Sequence, residues 1–189
     1  MNRCQWVGQQ PIYIEYHDTE WGVPVYNSEL LFQHLLLDGA QAGLSWITVL
    51  KKRENYRALF YQFDPSKIAE MTDNQLEILL TNPAIIRNRL KVYGFRKNAL
   101  AYLKISEQQT FSDFLWGFVD GQPIINHWSR DSDIPTSNDR SLAMSKALKK
   151  AGFTFIGTTI CYAFMQAVGM INDHTTDCFR YSELNPNPK

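Results

Sequence analysis

The chain has 189 residues, 44% of them apolar, and its 19 lysines and arginines balance 19 aspartates and glutamates; this suits one domain or two small lobes sharing a core, and excludes a bulk-charge argument for a nucleic-acid partner. Residues 1 to 20 carry Arg3, Glu15, Asp18 and Glu20 where a signal peptide would have an apolar run, and no stretch is apolar enough to span a bilayer, so a cytoplasmic protein with no membrane partner is expected. Three cysteines, an odd number, argue against a disulfide framework and leave metal binding or burial as their uses.

Taken in chain order, the pattern is helical almost throughout. PIYIEY, residues 11 to 16, alternates enough to suggest the one strand. After Ser28 the run ELLFQHLLL reads as a buried helix ending at Gly39. A second helix is expected from Ser45, with Trp46, Val49, Leu50, Tyr56, Leu59 and Phe60 along one broad face. Asp64 and Pro65 begin another, and Thr72 with Gln75 has the spacing of a capping box. Arg87 to Lys97 read as a basic helix, in which Gly94 weakens continuity. Phe111, Phe114, Leu115 and Phe118 recur at helical spacing, and residues 120 to 136 read as loop. Ser137 or Asn138 starts a helix that closes at Lys149, Lys150 and Gly152, and a last buried helix, TICYAFMQAV, stops at Gly169. No repeat or interdomain linker is visible, so residues 1–189 are expected to form one domain.

Three groups of residues carry chemistry. Cys4 and His17 (C-x12-H) with His174 and Cys178 (H-x3-C) supply two thiolates and two imidazoles, a complete tetrahedral zinc set. If His174 to Cys178 is helical, both side chains share one face, with Asp173 or Asp177 available to orient a ligand histidine. Such a filled site would be structural; the competing interpretation is a buried cysteine and two solvated histidines that never meet. Cys161 is expected to be plain core. Second, Arg87, Arg89, Lys91, Arg96 and Lys97 fall within eleven residues free of acids, after a turn holding Asn82 and Pro83. A helix following a tight turn presents unpaired amides, and neighbouring cations complete an anion site suited to a DNA backbone; a solvated basic face is the plainer alternative. Third, Trp6, Tyr13, Tyr16, Trp21 and Trp46 concentrate near the N-terminus, with Asp38 close by. Together they would suit a slot for a flat, cationic ring, or ordinary core packing.

The segments CQWVGQQPIYIEYHDTEWGVP, GAQAGLSWITVLKKRENYR, IIRNRLK and FIGTTICYAFMQAVGMINDH resemble the 3-methyladenine DNA glycosylase I family, from residue 3 to about 178. The resemblance implies an all-α helix-hairpin-helix fold of two lobes, with the hairpin at about residues 73–104. It implies one structural Zn2+ on Cys4, His17, His174 and Cys178, joining the N- and C-terminal segments. It implies a base pocket of Trp6, Tyr13, Tyr16, Trp21 and Trp46, with Leu44 filling the gap left in the duplex and Thr158 and Thr159 near the DNA backbone. Where the family carries a glutamate that recognises the methylated base, this chain has Asp38, a shortening of roughly 1.5 Å in reach that alters a direct hydrogen bond. The implied activity is hydrolysis of the N-glycosidic bond of 3-methyladenine in double-stranded alkylated DNA by a monomer, with Asp38 as the catalytic-site carboxylate. A non-catalytic module that only binds lesions is the alternative, and a metallohydrolase is disfavoured by a closed four-ligand site.

Overall fold

The computed structural model describes residues 1–185 and is built almost wholly of helices. The N-terminal part contains α1 (Pro11–Thr19), α2 (Ser28–Gln41), α3 (Trp46–Leu50) and α4 (Arg53–Leu59). They are followed by α5 (Pro65–Ala69), α6 (Asp73–Thr81), α7 (Arg89–Ser106) and α8 (Phe111–Trp116). The C-terminal part holds α9 (Asp139–Ala151), α10 (Thr158–Ala167) and α11 (Phe179–Glu183). Among the described residues, no helix is long and apolar enough to cross a membrane.

At the centre lies α2, whose Leu31, Phe32, Leu35, Leu36 and Leu37 are all sealed from solvent. Burying each such side chain contributes about 1.5–3 kcal/mol, so this helix is held by packing more than by propensity. It contacts α3, α7, α8 and α10, and therefore fixes where those helices stand relative to Asp38 near its C-terminal end. The Asn27 side chain caps its start by accepting from Leu30 N at 2.9 Å. A second, smaller apolar cluster joins Val7, Tyr16, Trp21 and Leu50 to Cys4, Ala167 and Cys178.

Several expectations change in the structure. PIYIEY is not a strand: Pro11 sits in the first turn of α1, where its missing N–H costs nothing, and Tyr13, Tyr16 and His17 share one helical face. The central helix continues past Gly39 to Gln41. The single helix expected from residue 45 to 60 is two short ones, broken at Lys51 and Lys52. By contrast α7 is continuous through Gly94. A Cβ there would stand 3.0 Å from Thr154 Oγ1 and 3.3 Å from the Phe155 ring, so glycine permits the close approach of the 154–155 segment. The stretch 120–136 is not featureless loop, for Ile124–Ile125 (β1) pairs in parallel with Ile171–Asn172 (β2), and a 3-10 turn covers Asp131–Asp133.

The capping expectations agree with the structure. Asp64 accepts from Ser66 N and Lys67 N, and Thr72 and Gln75 form the reciprocal box that opens α6. A seven-residue connection, 82–88, joins α6 to α7, and Asn88 caps the latter by accepting from Lys91 N at 3.1 Å.

Candidate functional site: an aromatic cavity beside a cysteine–histidine cluster

Cys4, His17, His174 and Cys178 converge, and all four are buried. Their ligand atoms lie within 4.8 Å of one another. Cys178 Sγ is 3.4 Å from His17 Nε2 and 3.5 Å from His174 Nδ1, and Cys4 Sγ is 3.6 Å from the same Nδ1. A tetrahedron with metal bonds of about 2.0–2.3 Å has edges of about 3.3–3.8 Å, a range that holds these three separations.

The outer hydrogen bonds suit a metal ion. His17 Nδ1 lies 2.8 Å from Asp18 Oδ1, and His174 Nε2 lies 3.1 Å from the carbonyl oxygen of Trp21. Each acceptor draws the ring proton to the outer nitrogen and leaves the inner one with a free lone pair. The Cys178 thiol is pushed down toward thiolate by hydrogen bonding with Cys4 and then with the two imidazoles.

Two details depart from the sequence reading. His174 and Cys178 are brought together by a turn and not by a helix. The carboxylate that orients a histidine of the cluster is Asp18, itself gripped by Arg3 at 2.7–3.0 Å, and not Asp173 or Asp177. Cys161 is core, as expected.

Against this cluster lies a cavity of about 380 Å³. Its walls include Trp6, Tyr13, Tyr16, Trp21, Trp46 and Asp38, so the structure brings together the whole aromatic set and the carboxylate. Trp6 meets Tyr13 and Trp21 edge-on, with centroids 5.7 and 5.0 Å apart, and Tyr16 tilts against Trp46 at 5.5 Å. The Tyr13 hydroxyl accepts from Ile47 N at 2.9 Å and so anchors α3 to α1. Trp21 also stacks on His17 and meets His174 edge-on, so the same indole belongs to the cavity wall and to the shell of the cluster.

Asp38 is 3% exposed, and its Oδ2 is buried without a hydrogen-bond partner. Burial pushes its carboxyl well above the usual carboxylate range. Asp131 Oδ1, in the same lining, is also buried without a partner, and an apolar wall carrying such acids attracts a cation, because a positive ring restores the Asp38 carboxylate that burial disfavours. Tyr16, fully buried beside it, is likewise pushed up by burial.

Sequence reasoning missed part of the lining: Gln41, Asp131, Ile134, Pro135, Thr136, Tyr162, Ala163, Gln166 and Ala167. The α10 members had a signal, since Thr159, Tyr162, Ala163 and Gln166 form an i, i+3, i+4, i+7 stripe. Asp131 had none. It reaches the site through the 3-10 turn, where its Oδ2 accepts from Trp6 N at 2.8 Å.

The basic cluster is divided. Arg87 is exposed in the connection before α7. Arg89 is also exposed, but pairs with Glu77 at 2.5 Å and lies over the Tyr93 ring at 4.8 Å. Arg96 is used internally, donating to Met71 O at 2.7 Å and Asp73 at 2.6 Å. Lys91 corrects the expectation of a phosphate contact: it is 7% exposed, and its Nζ donates to Ala40 O at 2.8 Å and Ala42 O at 2.6 Å. It ties off the carbonyl end of α2, where helical carbonyls have no partner in their own helix. Leu44 is 42% exposed in the loop just beyond, and Thr158 and Thr159 form the first turn of α10.

Known proteins similar to this chain point to one family. The family model described as Methyladenine glycosylase matches residues 6–181. The DNA-3-methyladenine glycosylase 1 of Escherichia coli (strain K12) is 54% identical over 187 residues, covering 98% of this chain and 100% of that protein. The DNA-3-methyladenine glycosylase of Haemophilus influenzae is 54% identical over 177 residues, 93% of this chain and 96% of its own length. A crystal structure of a 3-methyladenine DNA glycosylase I with a tyrosine-to-phenylalanine substitution, in complex with 3-methyladenine, superposes with a TM-score of 0.93 at 39% identity, covering 100% of this chain and 99% of that one. With the match running from the first cavity tryptophan to beyond the last cysteine, the chain belongs to the methyladenine glycosylase family.

Proposed function

We propose that the chain removes 3-methyladenine from alkylated double-stranded DNA by hydrolysing the N-glycosidic bond, releasing the free base and leaving an abasic site. The observation that carries this reading is the open cavity of about 380 Å³ that sets five aromatic side chains around the buried carboxyl of Asp38. Its relatives bear that activity in their names, and one is solved with the base bound.

Methylation at N3 makes adenine cationic, so the base departs as a neutral leaving group and needs little acid assistance. The work left to the protein is to draw the nucleotide out of the stack, hold the charged ring and admit water. Trp46 and Tyr16 offer π faces that favour a cation over neutral adenine, and Asp38 supplies the counter-charge in a site that disfavours it when empty of cation. Asp38 acts first as a recognition group and only secondarily on water.

For the DNA we read α6, the 82–88 connection and α7 as the helix-hairpin-helix element, with Arg87 and Arg89 meeting phosphates. Leu44 fills the vacated stack, and the first turn of α10, at Thr158 and Thr159, offers amides to a phosphate. Cys4, His17, His174 and Cys178 would hold one Zn2+, for which two thiolates and two imidazoles are a preferred set. With all four positions taken by protein, its role is to fasten the chain and not to activate water. We read the chain as one domain of two lobes acting as a cytoplasmic monomer.

The test is incubation of the metal-loaded protein with methylated duplex DNA, followed by chromatography of the released bases. Free 3-methyladenine is expected, and Trp46→Ala should slow its release by about 5- to 150-fold, since base stacking on an aromatic is worth about 1–3 kcal/mol. Folded, metal-loaded protein that binds the DNA yet frees no base would replace the enzyme with a lesion-binding module.

A further inference from the structure

Gln166, on α10, lines the cavity, and the recognition scheme above gives it no task. Its Nε2 donates to Asp173 Oδ2 at 2.8 Å. Asp173 is 1% exposed and receives three further donors: Asn126 Nδ2 and Trp128 Nε1 on Oδ1, and the Tyr162 hydroxyl on Oδ2, each at 2.7 Å. One buried carboxylate is thus saturated by groups from β1's following segment and from α10.

The consequence for Gln166 is directional. A carboxylate only accepts, so the amide facing it must present its NH2 end; the reverse orientation would set two oxygens against each other. Oε1 then stands on the other side of the amide. It takes no hydrogen bond among the described residues, and on a half-buried side chain that lines the cavity it is left for an incoming donor. The cavity lining therefore includes a neutral acceptor of fixed sense as well as the carboxyl of Asp38. A carboxylate attracts any cationic methylpurine, whereas an amide oxygen favours a ring bearing an amine over one bearing a carbonyl.

We propose, resting on the glycosylase reading above, that Gln166 is a specificity-determining residue for the extruded base and Asp173 the positioning residue that fixes its amide. Oε1 accepts from the exocyclic amine of N3-methylated adenine, and the second Nε2 hydrogen donates to the ring nitrogen N7. N3-methylated guanine carries an oxygen where adenine has its amine, and is opposed by Oε1. Asp38 reads charge, and Gln166 reads which purine carries it.

The measurement is a ratio. Duplex DNA methylated with a tritiated reagent contains both 3-methylpurines, and the initial rates of 3-methyladenine and 3-methylguanine release are counted in one chromatogram. For Gln166→Met, which keeps the length and removes both polar atoms, the adenine-to-guanine ratio should fall about ten- to a hundredfold, the worth of one bidentate amide contact. A purely structural role lowers both rates together and leaves the ratio where it was, which overturns the proposal. Asp173→Asn, which lets the Gln166 amide turn over, should lower the ratio in the same direction. If Gln166→Met does not accumulate folded, Gln166→Asn withdraws the same amide by one methylene and is read identically. Unmodified protein that releases neither base overturns the glycosylase reading itself, and is distinguished from failure of this assignment by occurring before any substitution.

Discussion

Lys91→Met preserves the length and apolar stem of the side chain while removing the ammonium that bonds Ala40 O at 2.8 Å and Ala42 O at 2.6 Å. Hydrogen bonds to a charged group contribute about 1.5–3 kcal/mol each, a gross loss of about 3–6 kcal/mol. Burial works against the ammonium and lowers its pKa, so part of that gain is spent on desolvation. A net destabilisation of about 2–4 kcal/mol remains, which at about 2–4 °C per kcal/mol for a chain of this size lowers Tm by about 4–16 °C. The informative companion is DNA affinity measured across a salt series. A side chain that touches phosphate contributes about 0.9 to the slope of log affinity against log salt, whereas one that closes a helix end contributes nothing. Lys91→Met should therefore melt earlier at an unchanged salt slope. An unchanged Tm with a slope reduced by about one unit would show that the side chain leaves α2 and meets the backbone of DNA.

Three further expectations follow from the same geometry. Burial raises the Asp38 carboxyl, so above about pH 3.9 the folded protein holds a proton that the unfolded chain releases, and stability falls as pH rises through that window. Asp38→Asn removes this titration: its Tm relative to the unsubstituted protein should be least favourable near pH 4 and gain toward pH 7, while 3-methyladenine release drops; a Tm difference that is flat with pH in circular-dichroism melts would refute it. Cys178→Ser should lose the bound metal in elemental analysis and melt about 8–16 °C lower, the equivalent of about 4 kcal/mol for a site loaded a thousandfold above its Kd, and native protein isolated without zinc would contradict the assignment. Arg87→Ala should weaken DNA binding regardless of sequence and lower the salt slope by about one unit with Tm unchanged.

What could be read from the sequence was local. The helix from Ser28, the caps at Asp64 and Thr72 and the lysines closing α9 depend on spacing within one or two turns, and they stand where the pattern places them. PIYIEY failed because six residues cannot separate a period of two from one of 3.6, and Pro11, which opens a helix, was the better clue. The cysteine–histidine set and the aromatic set were visible as residue types, and their convergence needed the fold. Lys91 is indistinguishable from its charged neighbours in the sequence, which shows charge and not direction: on α7 it turns inward to α2 while Arg89 turns out. Asp18 and Asp173 stand equally next to a histidine in the sequence, yet Asp173 is consumed by four other donors and Asp18 alone of the two meets an imidazole nitrogen. The contribution of Asp131 depends on a long-range contact with Trp6 for which no periodicity exists.

The cysteine–histidine cluster also sets an order of events during synthesis. His174 comes 153 residues after Trp21, whose carbonyl it grips, and 170 after Cys4. A growing polypeptide thus makes the indole wall early and closes its cysteine–histidine side only when His174 and Cys178 have left the ribosome. A chain stopped before them would carry most of the helices and the Asp131 contact to Trp6, yet lack the His174 contacts that back Trp21.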